Sequence, residues 1–145
     1  MRVAILASLG VWALLAGVSV AAEEDTSTRV DGTFVLGKDV GTFAGHVVDI
    51  RLYEFDPFLA DVGATLIEKI EMKDFGHTKG KETRKQFVIG AEGKIKPRMS
   101  YYVTLFILKD GKRTHMGKVP GEFLAKVLTN GKPRKIEMVV RKIGK

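Results

Sequence analysis

The 145-residue chain contains no cysteine. That removes thiol catalysis, iron–sulfur clusters, thiolate zinc sites and disulfides, so the fold relies on its apolar core. It also removes a lipobox, whose lipid anchor needs a cysteine. The one tryptophan, Trp12, lies in the leader described below. Beyond that leader there are two serines, Ser27 and Ser100. Neither sits between the glycines of a nucleophile elbow, which argues against a serine hydrolase. No second apolar run is long enough to span a bilayer.

What is present begins with an address. Met1-Arg2 gives a positive start and Val3 to Val20 is almost continuously apolar. Ser19-Val20-Ala21 and Val20-Ala21-Ala22 offer small-x-small cleavage patterns, and Glu23-Glu24-Asp25 follows. Charge, length and end chemistry predict a signal peptide over residues 1–22. A retained anchor is the alternative, disfavoured because three acids and no basic stop-transfer cluster follow. Residues 23–31 read as a flexible mature N-terminus and 32–145 as one domain. The expected product is exported, periplasmic or extracellular, and soluble after cleavage, with no membrane span.

The remaining pattern is that of short strands. Val48, Ile50 and Leu52 alternate with Asp49 and Arg51; Leu66, Ile70 and Met72 with Lys69, Glu71 and Lys73; Ile136, Met138 and Val140 with Glu137 and Arg141. Further strands are expected at 33–36, 83–89, 101–108 and 114–119, with 123–128 ambiguous between a strand and a helical turn. Tyr101 or Tyr102 should face the core. Asp110-Gly111 predicts a type I′ hairpin and Asn130-Gly131 a second tight turn. Seven or eight strands separated by turns predict an all-β fold, a two-sheet antiparallel β-sandwich of immunoglobulin-like or transthyretin-like form.

No stretch specifies a reaction. Gly76 to Glu82 has a phosphate loop's flavour, but the spacing is one residue short and Glu82 stands where a hydroxyl is needed; it reads as a hairpin loop. Asp49, Glu54, Asp56 and Asp61 are close in sequence yet read as solvated acids. No cofactor and no enzyme activity are expected.

Three binding readings remain. Imidazole and thioether suit copper in an exported protein, which makes His46, His77, His115 and Met116 the candidate ligands, with surface histidines and core methionines as the plainer reading. Phe55, Pro57, Phe58 and Leu59 form the most apolar of the expected loops and are candidates for partner contact. Finally, residues 23–78 carry 5 basic against 12 acidic side chains, a net of −7, while 79–145 carry 18 against 5, a net of +13. That asymmetry admits an anionic polymer or membrane surface as partner; nucleic acid is disfavoured for want of interleaved aromatics.

Between Gly45 and Val119 the order of features resembles the small bacterial sandwich lipoproteins typified by YbaY-type proteins and the type III secretion pilotin YscW. The residues that carry it are Asp49-Ile-Arg-Leu-Tyr53-Glu-Phe-Asp56, Ala64-Thr-Leu-Ile67, Lys85-Gln-Phe-Val-Ile89, Ile95-Lys-Pro97, Tyr101-Tyr-Val-Thr-Leu-Phe-Ile107 and Asp110-Gly111. The resemblance implies a non-enzymatic envelope protein that binds or chaperones another envelope component and, in the pilotin branch, helps to place an outer-membrane secretin. The chain departs from that family in lacking the lipobox cysteine.

Overall fold

A computed structural model describes residues 25–59 and 61–144. The predicted signal peptide lies outside them. Among the described residues there is no helix, and the eight strands are β1 (Val30–Leu36), β2 (Phe43–Phe55), β3 (Thr65–His77), β4 (Thr83–Ile89), β5 (Ser100–Lys109), β6 (Lys112–Lys118), β7 (Ala125–Val127) and β8 (Lys135–Lys142). The all-β expectation therefore holds, and the ambiguous 123–128 stretch contains a short strand.

The two-sheet antiparallel sandwich does not hold. All eight strands belong to one sheet in the order β3-β2-β5-β6-β8-β1-β4, with β7 paired to the first part of β5. The sheet is mixed, because β1 and β8 run parallel with Gly32 opposite Ile136. It curls until its two end strands, β3 and β4, lie near one another, giving a nearly closed barrel. Strands of a sandwich and of a barrel both bury alternate residues, so alternation alone does not separate them. Irregular registers add curl, one in the β5–β6 ladder between Ile107 and Leu108 and most in the β2–β3 ribbon. Both strands have 13 residues, and their register slips at three places. Each slip adds local bend and twist.

Those slips also re-aim side chains. Val48 pairs with Met72 and His46 with Phe75, so β3 has an extra residue there, with Asp74 at φ 54°. The extra residue turns Phe75 inward. A second slip pairs Leu52 with Glu68 and Tyr53 with Leu66. Leu66, expected on the core side, consequently shares the outer face with Tyr53 and is exposed, while Ile67 packs against the core. The other alternations stand: Val48, Ile50, Leu52, Phe87, Ile89, Ile136, Met138 and Val140 are buried, and Tyr101 is the inward tyrosine. Phe34 is the aromatic centre of this core, with the Phe75 ring 5.6 Å away edge-on and the Phe87 ring 6.4 Å away. Burying each such side chain contributes roughly 1.5–3 kcal/mol.

The turn chemistry follows the sequence closely. Asp110 and Gly111 have φ of 51° and 76°, and Asn130 and Gly131 have φ of 57° and 76°, the positive pairs a type I′ turn demands. The loop after β3 differs from expectation. It links β3 to β4, but those strands are the two ends of the sheet order and share no ladder, so 78–82 spans the barrel seam and is not a hairpin loop.

The chain before β1 lies along the loop after β4. Thr28 N donates to Gly93 O (3.0 Å), Ile95 N to Thr26 O (2.9 Å), and the buried Thr28 hydroxyl to Gly90 O (2.6 Å). The Arg134 guanidinium donates to the carbonyls of Asp25, Ser27 and Arg29. Gly90, at φ 81°, is required here. Besides the strained φ, a Cβ would press on the Thr28 carbonyl and the Leu52 methyl.

Candidate interaction surfaces

The barrel's curl brings the three histidines to one end. They come from β2, β3 and β6, and gather around Phe43 at the start of β2. Ring centroids lie 4.5 Å (His46), 4.7 Å (His115) and 6.2 Å (His77) from that of Phe43. His46 and His115 are 6.4 Å apart. Phe43 is the part of this cluster the sequence reading missed; no spacing signals it, because the contacts cross strands.

Hydrogen bonds orient each ring. His46 Nδ1–H donates to Ala44 O (2.8 Å). The Thr114 hydroxyl donates to Ile107 O (3.1 Å), so it accepts from His115 Nδ1–H at 2.8 Å. His77 Nδ1 meets the Thr83 hydroxyl at 2.7 Å, while its buried Nε2 has no partner among the described residues. Burial, and then the nearby His46, Lys142 and His77, depress the His115 pKa below the ordinary imidazole value. Met116 is not part of the cluster: it pairs with Phe106 and Arg141 on the outer face, whereas His115 points in. Among the described residues no group of three histidine, aspartate or glutamate side chains is placed to hold a metal ion.

Toward the other end, from Asp49 in the middle of β2 onward, the acids that are close in sequence separate. Asp49 faces out and Glu54 faces in. Asp49 is nonetheless buried, under a two-pronged contact from Arg51 (2.9 and 3.1 Å) and with Lys69 at 3.9 Å. Glu54 is buried, accepting from Tyr101 Oη–H (2.8 Å) and Lys96 Nζ (3.3 Å), while Lys96 N donates to Tyr101 Oη (2.9 Å). Burial foremost pushes the Tyr101 phenol up to about 12. Asp56 caps its own turn by accepting from Phe58 N (2.9 Å), with Arg98 at 3.6 Å. These carboxylates brace the fold, and both buried ones have their charge partnered, as burial requires.

The loop after β2 carries an apolar patch. Phe58 is 79 % exposed and Leu59 51 %, Pro57 is exposed, and Val62 and Leu66 add further exposed apolar surface. Phe55 turns back instead, edge-on to Tyr102 at 5.6 Å. Tyr102 is stacked on its cross-strand neighbour Tyr53 at 5.1 Å. From this stack a groove of about 500 Å³ runs over the outer face past Asp49, Arg51, Thr104 and Phe106, where Arg113 covers the Phe106 ring at 3.8 Å. Tyr53 pairs with Leu66, so loop patch and aromatic face meet at β3.

No protein-family model and no curated protein matches the chain. Among solved structures, the fold is similar to that of an alternative pilotin from the type II secretion system of Vibrio cholerae. The TM-score is 0.56 at 21% identity, covering 81% of this chain and 97% of the pilotin. The fold is thus pilotin-like. No described helix is long and apolar enough to cross a membrane.

Proposed function

We propose that the protein is an exported, non-enzymatic partner-binding protein of the cell envelope, and that its partner is a component of a secretion apparatus. The observation that carries this reading is the likeness to the Vibrio pilotin over nearly the whole of that protein. The YbaY and YscW resemblance of residues 45–119 points to the same class; the solved neighbour comes from a type II and not a type III system. The exposed loop supports it independently. Phe58, Leu59, Val62 and Leu66 crowd apolar surface onto one edge of the barrel, which a partner would remove from water.

In this reading Phe58 and Leu59 are the anchors, Pro57 stiffens their loop, and Phe55 supports the adjoining aromatic face. A photo-reactive residue at position 58, activated in cells, should yield an adduct identified by mass spectrometry as a secretion-channel component. Phe58→Ser with Leu59→Ser should abolish association without lowering the melting temperature. An adduct with no secretion component, or undiminished association in the double variant, would overturn the proposal.

A further inference from the structure

The rim that surrounds the histidine cluster is also the barrel's most one-sided charge. Its loops contribute Lys38 (after β1), Lys79 and Lys81 (between β3 and β4), Lys109 and Lys112 (at the β5–β6 hairpin), and Lys142 (ending β8); all six are exposed. None of the six makes an ion pair among the described residues. The carboxylates of the same loops are Asp39, Glu82 and Asp110, and two of those are taken by arginines, Asp39 by Arg141 at 3.6 Å and Glu82 by Arg84 at 3.3 Å. At the opposite rim Lys96, Arg98 and Arg134 are partnered by Glu54, Asp56 and Asp25. Although Lys94, Lys118, Lys132 and Lys135 make no ion pair among the described residues, the loops there also carry Asp61, Glu92 and Glu122, which lower the excess of positive charge.

The loops of the lysine rim hold one another in place. Gly80 N donates to Lys38 O (2.8 Å) and Lys79 N to the Thr42 hydroxyl (2.9 Å), tying two of them together. Ile143 N donates to Thr114 O (2.9 Å), which fixes the chain at Lys142 beside the hairpin strand. Lys109 Nζ lies over Gly45, which has no side chain to displace it. The charges therefore project from one end of a rigid scaffold and do not sit on a flexible tail.

We propose that this lysine rim docks the protein onto an anionic bilayer surface. Six ammonium groups spread over three connections and the end of β8 form a broad face and not a cleft around one anion. Lysine supplies point charges where geometric recognition of a single phosphate would favour the arginine fork. Among the described residues the only large apolar side chain exposed at this rim is Ile143, at 42 %, so attachment is by charge at headgroup level and not by insertion. The apolar Phe58 loop leaves the barrel from the opposite end, since it follows the end of β2 while the rim holds its start. A molecule docked by the rim would present that loop away from the bilayer, toward a partner.

The test uses residues 23–145, the expected mature chain, which hold all eight strands and omit the apolar leader that would itself partition into lipid. Co-sedimentation is measured with phosphatidylcholine vesicles, with and without phosphatidylglycerol. Binding should need phosphatidylglycerol and fall steeply with salt. Lys79→Gln with Lys112→Gln should weaken it roughly tenfold or more, each surface charge being worth about fivefold. Lys94→Gln with Lys132→Gln, at the opposite rim, should change it less than about twofold. Equal losses from both pairs, or equal binding to pure phosphatidylcholine, would overturn the proposal. So would tighter binding to soluble polyphosphate than to vesicles at equal phosphate, which would make the occupant a polymer. Unchanged circular dichroism and melting of the variants separate lost docking from lost folding.

Discussion

His77 Nδ1 lies 2.7 Å from the Thr83 hydroxyl, and that contact joins the two end strands of the sheet. β3 and β4 share no backbone ladder. Their seam is held by side chains, at one end by this pair and at the other by Gly90 N donating to Glu68 Oε2 at 2.8 Å. Thr83→Val keeps the shape and removes the hydroxyl, which leaves the buried His77 ring with neither nitrogen partnered among the described residues. The expected loss is about 1–3 kcal/mol in denaturant unfolding, with faster amide exchange along β3 and β4. An unchanged midpoint would mean that the hydroxyl does not hold the seam.

Tyr101 links backbone to carboxylate at the far end, accepting from Lys96 N and donating to Glu54. Tyr101→Phe should cost about 1–3 kcal/mol, because both partners lose a bond and Glu54 is buried. The raised phenol pKa adds an alkaline signature. Between the ordinary value near 10 and the folded value of about 12, the folded state holds a proton that the unfolded chain releases. Stability from this group is complete below about pH 10 and declines as pH rises toward 12. Unfolding midpoints across that range should fall in the parent and flatten in Tyr101→Phe.

His115 works in the opposite direction. Its folded pKa is depressed, mainly by burial, so in acid the unfolded chain binds a proton more readily than the folded one. Its contribution is complete above the unfolded value of about 6.5 and is lost as pH falls toward the depressed folded value. His115→Gln should shrink the acid-side loss of stability. A parent and variant with superimposable pH profiles would show that His115 is not the group responsible.

Gly32 lies opposite Phe87 in the β1–β4 ladder, and a Cβ at Gly32 would occupy the space of the Phe87 ring. Gly32→Ala should destabilise by about 1–3 kcal/mol, since the ring must leave its place in the core. Gly117, where a Cβ would stand 3.1 Å from Leu105 side-chain atoms, should tolerate alanine better. The reverse order in thermal unfolding would contradict this packing.

The sequence by itself determined the strands, because strand formation is local. Alternation at 48–52, 87–89 and 136–140, and the Asp110-Gly111 and Asn130-Gly131 turns, are written in nearest neighbours, and the structure reproduces them. It also marked Phe58 and Leu59 as apolar residues without a strand to bury them. Tertiary structure alone decided the rest. The parallel β1–β8 pairing joins segments about a hundred residues apart, and no turn signals it. The slips in β2–β3 reversed Leu66 and turned Phe75 inward, since an inserted residue changes which face a side chain takes. Curling the sheet then gathered His46, His77 and His115 around Phe43 and drew six lysines from separate loops onto one rim. Residues distant along the chain became neighbours because closing the barrel is what buries one common core.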